Sequence, residues 1–181
     1  MGETKINIWE RAGKAGLVLG GVSILYLLCT MLTGRISSGG TGAALAMTLL
    51  NALLWLAKFA GCIFLMRFFM LRYSQADPEA DNARVFRFGT LTALLSALIY
   101  SAAYLAYTSF LAPDSFEQAI EAMRDSPMLD SATLSQMEDL LPKMPTIGFF
   151  VNLIWCWLFG TVLAAIFSRN IPPQNPFADK Q

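Results

Sequence analysis

Four long apolar runs dominate the chain, at about 15–32, 43–66, 88–111 and 147–167, with short polar stretches between them. Each approaches or exceeds the ~20 residues that a helix needs to cross a hydrocarbon core of about 30 Å. The second and third are long enough to tilt or to protrude into the cytoplasm. The pattern predicts an all-α fold in a single integral membrane domain over 1–181: a polytopic transmembrane four-helix bundle. The one sizeable polar stretch, at about 113–145, is expected to be a short helical extracytoplasmic loop.

The first run follows Lys5, Arg11 and Lys14, as a secretory signal would. Its apolar core exceeds the ~7–15 residues of a signal h-region, however, and no convincing small-residue cleavage site follows. Leu28 before Cys29 is also too large for lipoprotein processing, so a retained first helix is expected.

The connections differ in character. Thr33 to Gly42 is rich in glycine and serine (Gly34, Gly39, Gly40, Gly42) and reads as a simple turn. Asp77-Pro78 is a turn signal flanked by arginines. The third connection carries Asp114, Glu117, Glu121, Asp125, Asp130, Glu138 and Asp139 against Arg124 and Lys143, a local acidic excess. Asp114 with Glu117 forms a capping-box pattern, and Phe116, Ile120 and Met123 recur at helical spacing. A second helix is expected from Asp130 or Ser131, with Leu134, Met137 and Leu141 on one face. Pro127 separates the two, and Pro142 and Pro145 are expected to end the second. This pair reads either as a cap laid on the bundle or lipid interface, or as a docking surface for a basic partner through Glu117, Glu121 and Asp125.

Basic residues set the orientation. Lys5, Arg11 and Lys14 precede the first run, Arg67, Arg72, Arg84 and Arg87 surround the middle connection, and Arg169 and Lys180 follow the last run. The other side has Arg35, Arg124 and Lys143. The positive-inside rule therefore places both termini in the cytoplasm, which an even number of crossings permits. The arginines at the middle connection also offer an anionic-lipid contact, although fixing topology is sufficient reason for them.

Composition agrees with lipid as the solvent. Hydrophobic residues make up 55% and charged residues 14%, against the roughly 25% charged that soluble domains carry. Mean hydropathy is +0.50. Net charge is zero, which gives no argument for nucleic acid as a partner. The chain has no histidine, which removes the commonest acid/base and metal ligand near neutral pH. Cys29, Cys62 and Cys156 each lie in an apolar run, outside any paired spacing, and read as buried small hydrophobes rather than disulfides or ligands. No catalytic, cofactor-binding or metal residue is expected, and an enzyme is the weakest reading.

Small residues recur at three- and four-residue spacing in the first run (Gly13, Gly16, Gly20, Ser23) and the fourth (Gly148, Asn152, Cys156, Gly160, Ala164). Such stripes allow close helix approach, and these two are expected to face each other. Interfacial positions suit Tyr107 and Phe110 at one end, and Phe68, Phe69 and Tyr73 at the other.

Lys58 resists so bland an account. It stands nine residues before Arg67, which at 1.5 Å per residue puts it roughly 13 Å inside the membrane boundary. A lysine there costs ~2.5–3.5 kcal/mol on insertion scales. Helical side chains lean toward the helix N-terminus, away from the nearer, cytoplasmic surface, so Lys58 is expected to face the bundle interior. Thr48, Asn51, Trp55, Gly61 and Cys62 share its face. No Asp or Glu occurs in any of the four apolar runs. The expected polar cluster is Lys58, Asn51, Ser96, Tyr100 and Asn152, with Thr92 a turn from Ser96. Three roles stay open for it: a neutral polar network, a path for an anion or lipid headgroup, or pairing with a carboxylate on a partner subunit.

Taken together, four spans, the Phe86-Arg87-Phe88-Gly89 entry to the third with Ser96 following, an acidic loop, and a last span ending at Ser168-Arg169 resemble the bacterial domain-of-unknown-function 4199 family. The resemblance covers nearly the whole chain. It implies a four-helix integral membrane protein of the bacterial cytoplasmic (inner) membrane, and it supplies no catalytic residues. The expected function is a non-enzymatic membrane subunit in the lipid bilayer, binding other membrane proteins or copies of itself. The alternative is a small transporter or channel protomer using the Lys58 region.

Overall fold

A computed structural model describes residues 7–36, 41–77, 80–124 and 131–171. They form six α-helices: α1 (Ile8–Ile36), α2 (Thr41–Ala76), α3 (Asn82–Ala106), α4 (Ser115–Arg124), α5 (Ser131–Leu140) and α6 (Met144–Asn170). A π-helical turn, Tyr107–Leu111, prolongs α3, and a 3₁₀ turn, Leu141–Lys143, joins α5 to α6. No strand occurs among the described residues, and the fold is an all-α helical bundle. Four stretches are long and apolar enough to cross a membrane: Ile8–Thr33, Leu45–Ala76, Asn82–Leu111 and Ser135–Asn170. Lys5, Gly39, Gly40, Pro78, Asp125, Pro127, Asp130 and Lys180 lie outside the described residues.

Several helix ends differ from the sequence expectation, each for a local reason. Gly34 and Gly42, expected in the first connection, fall inside α1 and α2. α3 starts well before its apolar run because Asp81 caps it, accepting the Arg84 N–H at 2.7 Å through its side chain. Such a cap satisfies an otherwise orphaned donor. Pro145 does not terminate α5. It sits in the first turn of α6, where the N–H it lacks has no helical partner to lose.

Helix α3 is the axis of the bundle, packing along most of its length against both α1 and α6, while α2 joins more loosely through α1. This corrects the expectation that the small-residue stripes of the first and fourth runs face each other. Both face α3. A Cβ added at Gly16 would lie 2.9 Å from the Leu95 Cβ, and one at Gly20 would lie 2.8 Å from Ile99. On α6, Gly148 is filled by the Tyr104 ring and Gly160 by the Ala93 methyl. Gly89 of α3 answers in kind, lying against Ala164 and Met70. Backbone contact at this range is what small residues provide between helices in a membrane. Gly13 belongs to the stripe only by spacing, since nothing approaches it within 4 Å.

Burial is uneven along the bundle axis. One end gathers the start of α1, the α2–α3 corner and the end of α6, with Arg11, Lys14, Arg67, Arg72, Arg84, Arg87 and Arg169 exposed on it. We call it the basic end, and the end bearing α4 and α5 the cap end. The basic half is closed: Ala12, Ala15, Leu19, Met66, Met70, Val85, Phe88 and Ala164 are all buried. Tyr73, expected at an interface, is 3% exposed and stacks on Phe88 with centroids 4.4 Å apart. Its hydroxyl donates to Asp77 at 3.2 Å, which also pairs with Arg84 at 3.7 Å and fixes the corner. The cap half is different. No residue of 24–33 in α1, 45–65 in α2 or 144–163 in α6 is buried.

Outward-facing side chains are large and apolar. Leu49 is 66% exposed, Phe64 69% and Trp155 72%. Water would destabilise such a surface, whereas hydrocarbon leaves it without penalty.

Candidate functional site

Lys58 projects from the middle of α2 toward the axis. Its ammonium nitrogen lies 4.9 Å from the centroid of the Tyr26 ring on α1 and 4.4 Å from that of Tyr100 on α3. Both distances are within cation–π range, worth ~0.5–1 kcal/mol at exposed sites and about 2 kcal/mol when desolvated. Ring faces hold the charge in place without neutralising it. The thiols of Cys62 on α2 and Cys156 on α6 are within electrostatic range of the same ammonium. Cys62 Sγ also lies 4.0 Å from the Ser23 hydroxyl of α1.

All four long helices therefore contribute to one level of the bundle. Tyr26, Lys58, Cys62, Tyr100 and Cys156 are each partly exposed, and none is sealed. Beside them α2 touches α6 through Phe59 and Phe159, whose ring centroids are 5.2 Å apart, and Trp55 stacks on Phe59. No carboxylate pairs with Lys58 among the described residues.

The expected polar cluster is only partly drawn together. Lys58 and Tyr100 meet. Asn51 lies on the same face of α2, toward the cap end, where its side-chain oxygen accepts the Thr33 hydroxyl of α1 at 3.0 Å. Ser96 turns its backbone to α1, against Gly16 and Gly20. Asn152 donates to the Gly148 carbonyl of its own helix at 2.9 Å. Thr92 is fully buried in α3 with its hydroxyl unpartnered, as is Ser101. Tyr26 was missed by the sequence reading. Its signal was an aromatic hydroxyl one turn beyond Ser23, at mid-depth in the first run.

On the cap, Glu117 and Glu121 are exposed on α4, and Asp125 lies outside the described residues. Arg124 reaches Glu138 at 2.7 Å and ties α4 to α5. With side chains 60% and 45% exposed, that pair adds little stability. Ile120 is the buried anchor of α4.

Residues 14–169 match the family described as Protein of unknown function (DUF4199). The chain belongs to this family. Neither a curated protein nor a solved structure matches it. The matched segment spans most of α1, all of α2 and α3 and nearly all of α6, and includes Tyr26, Lys58, Cys62, Tyr100 and Cys156.

Proposed function

We propose that this protein is a multi-pass subunit of the bacterial cytoplasmic membrane, with both termini cytoplasmic, that binds other membrane proteins and catalyses no reaction. The observation that carries the reading is the outer stretch of α2. Along 45–65 it has no buried residue, and Leu49, Leu53, Leu56 and Phe64 point away from the bundle. Gly61 lies in the same stretch with nothing within 4 Å of its Cβ position. A helix that leaves such a face free of internal contacts has it available for a neighbouring helix. The exposed acids Glu117 and Glu121 give the cap a second contact suited to a basic partner. The absence of histidine and the spread of acids along α4 and α5 favour a non-enzymatic role.

Cross-linking tests this in native membranes. A photoreactive residue at Leu53 or Phe64 is expected to give discrete cross-linked products, whereas one at Leu25 on α1 gives none. Products equally abundant from all three positions, or from none, would rule out α2 as a docking helix.

A second reading, the binding or passage of a solute, is favoured by one observation of its own. The side chains that converge on Lys58 from four helices all remain partly exposed.

A further inference from the structure

Packing fixes which way the last turns of α2 face. Met66, Met70, Tyr73 and Ser74 are buried against the rest of the bundle, which turns the opposite face outward. On that outward face stand Arg67, Phe68, Leu71 and Arg72, all exposed, Phe68 by 43% and Leu71 by 39%. At about 100° per residue, Leu71 falls about 40° and Phe68 about 100° from Arg67, with Arg72 at about 140°. The two arginines therefore bracket an apolar strip. Arg67 closes the second apolar run and Arg72 stands about 7.5 Å further along the helix, so both lie where α2 leaves the hydrocarbon. The Phe68 ring is held edge-on by Phe69 with centroids 5.6 Å apart, and Phe69 in turn packs on the buried core.

Neither guanidinium has a counter-ion among the described residues. The described carboxylates of the basic end are already engaged: Glu10 by Lys14 at 2.7 Å, Asp77 by the Tyr73 hydroxyl and Arg84, and Asp81 by the Arg84 N–H. Fixing topology accounts for arginines at this depth, but not for the exposed ring and leucine between them. An acidic protein in water would leave that strip unused, and a hydrocarbon chain alone would leave the arginines unpaired. An anion joined to an acyl chain uses both. Guanidinium groups match phosphate oxygens in geometry and charge. A zwitterionic headgroup brings its own cation beside the phosphate, whereas a net negative one does not.

We propose that the basic end of α2 binds an anionic phospholipid of the surrounding leaflet, with its phosphate between Arg67 and Arg72 and an acyl chain along Phe68 and Leu71. This goes beyond the subunit reading, which rests on the 45–65 stretch of the same helix, and it stands whether or not a protein docks there.

Native mass spectrometry of the full chain in mild detergent, titrated with phosphatidylglycerol or phosphatidylcholine of equal chain length, provides the test. Phosphatidylglycerol is expected to bind about thirtyfold more tightly, the sum of two basic side chains near the surface. The double variant Arg67→Gln, Arg72→Gln is expected to lose that preference, and Lys14→Gln, whose partner is Glu10, to keep it. Glycerophosphoglycerol, the headgroup without acyl chains, is expected not to compete. Equal binding of the two lipids by wild type would overturn the proposal. So would an undiminished preference in a double variant whose thermal unfolding matches wild type. Displacement of the lipid by the bare headgroup, or by hexaglutamate, at the concentration of the lipid itself would also overturn it, the latter in favour of an acidic protein. Should the double variant fail to fold, modification of wild type by phenylglyoxal decides. Phosphatidylglycerol is expected to slow the reaction at Arg67 and Arg72 and to leave Arg84, held by Asp77, unchanged. Rates at Arg67 and Arg72 that are the same with either lipid would refute the site. Loss of the cross-links expected from 45–65 would count against the subunit reading alone.

Discussion

The Lys58 ammonium lies 4.4 Å from the centre of the Tyr100 ring, so the one charged side chain in the middle of α2 is held by the central helix α3. This contact links the loosest helix of the bundle to its axis. The ring face, not the phenol hydroxyl, makes the attraction. Tyr100→Phe is therefore expected to keep the stability of wild type, and Tyr100→Leu to lose about 1 kcal/mol. Thermal unfolding in detergent, followed by circular dichroism, checks the pair. Equal losses in both variants would transfer the effect from the ring to the hydroxyl.

The glycines divide into those that packing uses and those it does not. A Cβ at Gly20 would lie 2.8 Å from Ile99, whereas one at Gly61 would meet nothing within 4 Å. Gly20→Val is expected to cost about 1–3 kcal/mol through forced separation of α1 and α3. Gly61→Ala is expected to be neutral or to stabilise by up to about 1 kcal/mol, the usual gain within a helix. The same unfolding experiment measures both. A Gly61 variant as damaged as the Gly20 variant would mean that α2 packs more tightly than described.

How far the sequence reaches is clear from particular residues. The apolar runs gave the number and type of long helices, because the hydrocarbon thickness fixes how long such a run must be. Lys58 stood out because a charge at that depth is costly. Its inward direction followed from the lean of helical side chains. Which rings would receive it did not follow, since a single run reveals depth but not rotation about the helix axis. Ser96 and Tyr100 are one turn apart on α3, yet Ser96 serves the α1 contact and Tyr100 the lysine. The partner of the small-residue stripes was misjudged for a similar reason. Two such stripes are self-complementary on paper, but α3 presents Ala93 and Thr92 to both sides and takes both. Tyr73 looked interfacial by depth alone, and its stack with Phe88 depends on where the corner at Asp77 turns the chain.

Orientation is open to direct measurement. With a membrane-impermeant thiol reagent outside intact cells, a cysteine at Glu121 is expected to be labelled and one at Arg87 only after permeabilisation. The opposite pattern would invert the topology that the basic residues imply.

The central structural claim is that α1, α2 and α6 carry buried residues in the basic half of the bundle, whereas their cap-half stretches 24–33, 45–65 and 144–163 carry none. A cysteine scan along the inner face of α2 tests it most directly. With the three native cysteines replaced, single cysteines are placed at Asn51, Leu54, Met66 and Met70 and exposed to N-ethylmaleimide in mild detergent. Reaction is predicted at 51 and 54, and none at 66 and 70, where Met66 and Met70 are 2% and 0% exposed. Uniform silence at all four positions, or reaction at 66 and 70, would contradict the account.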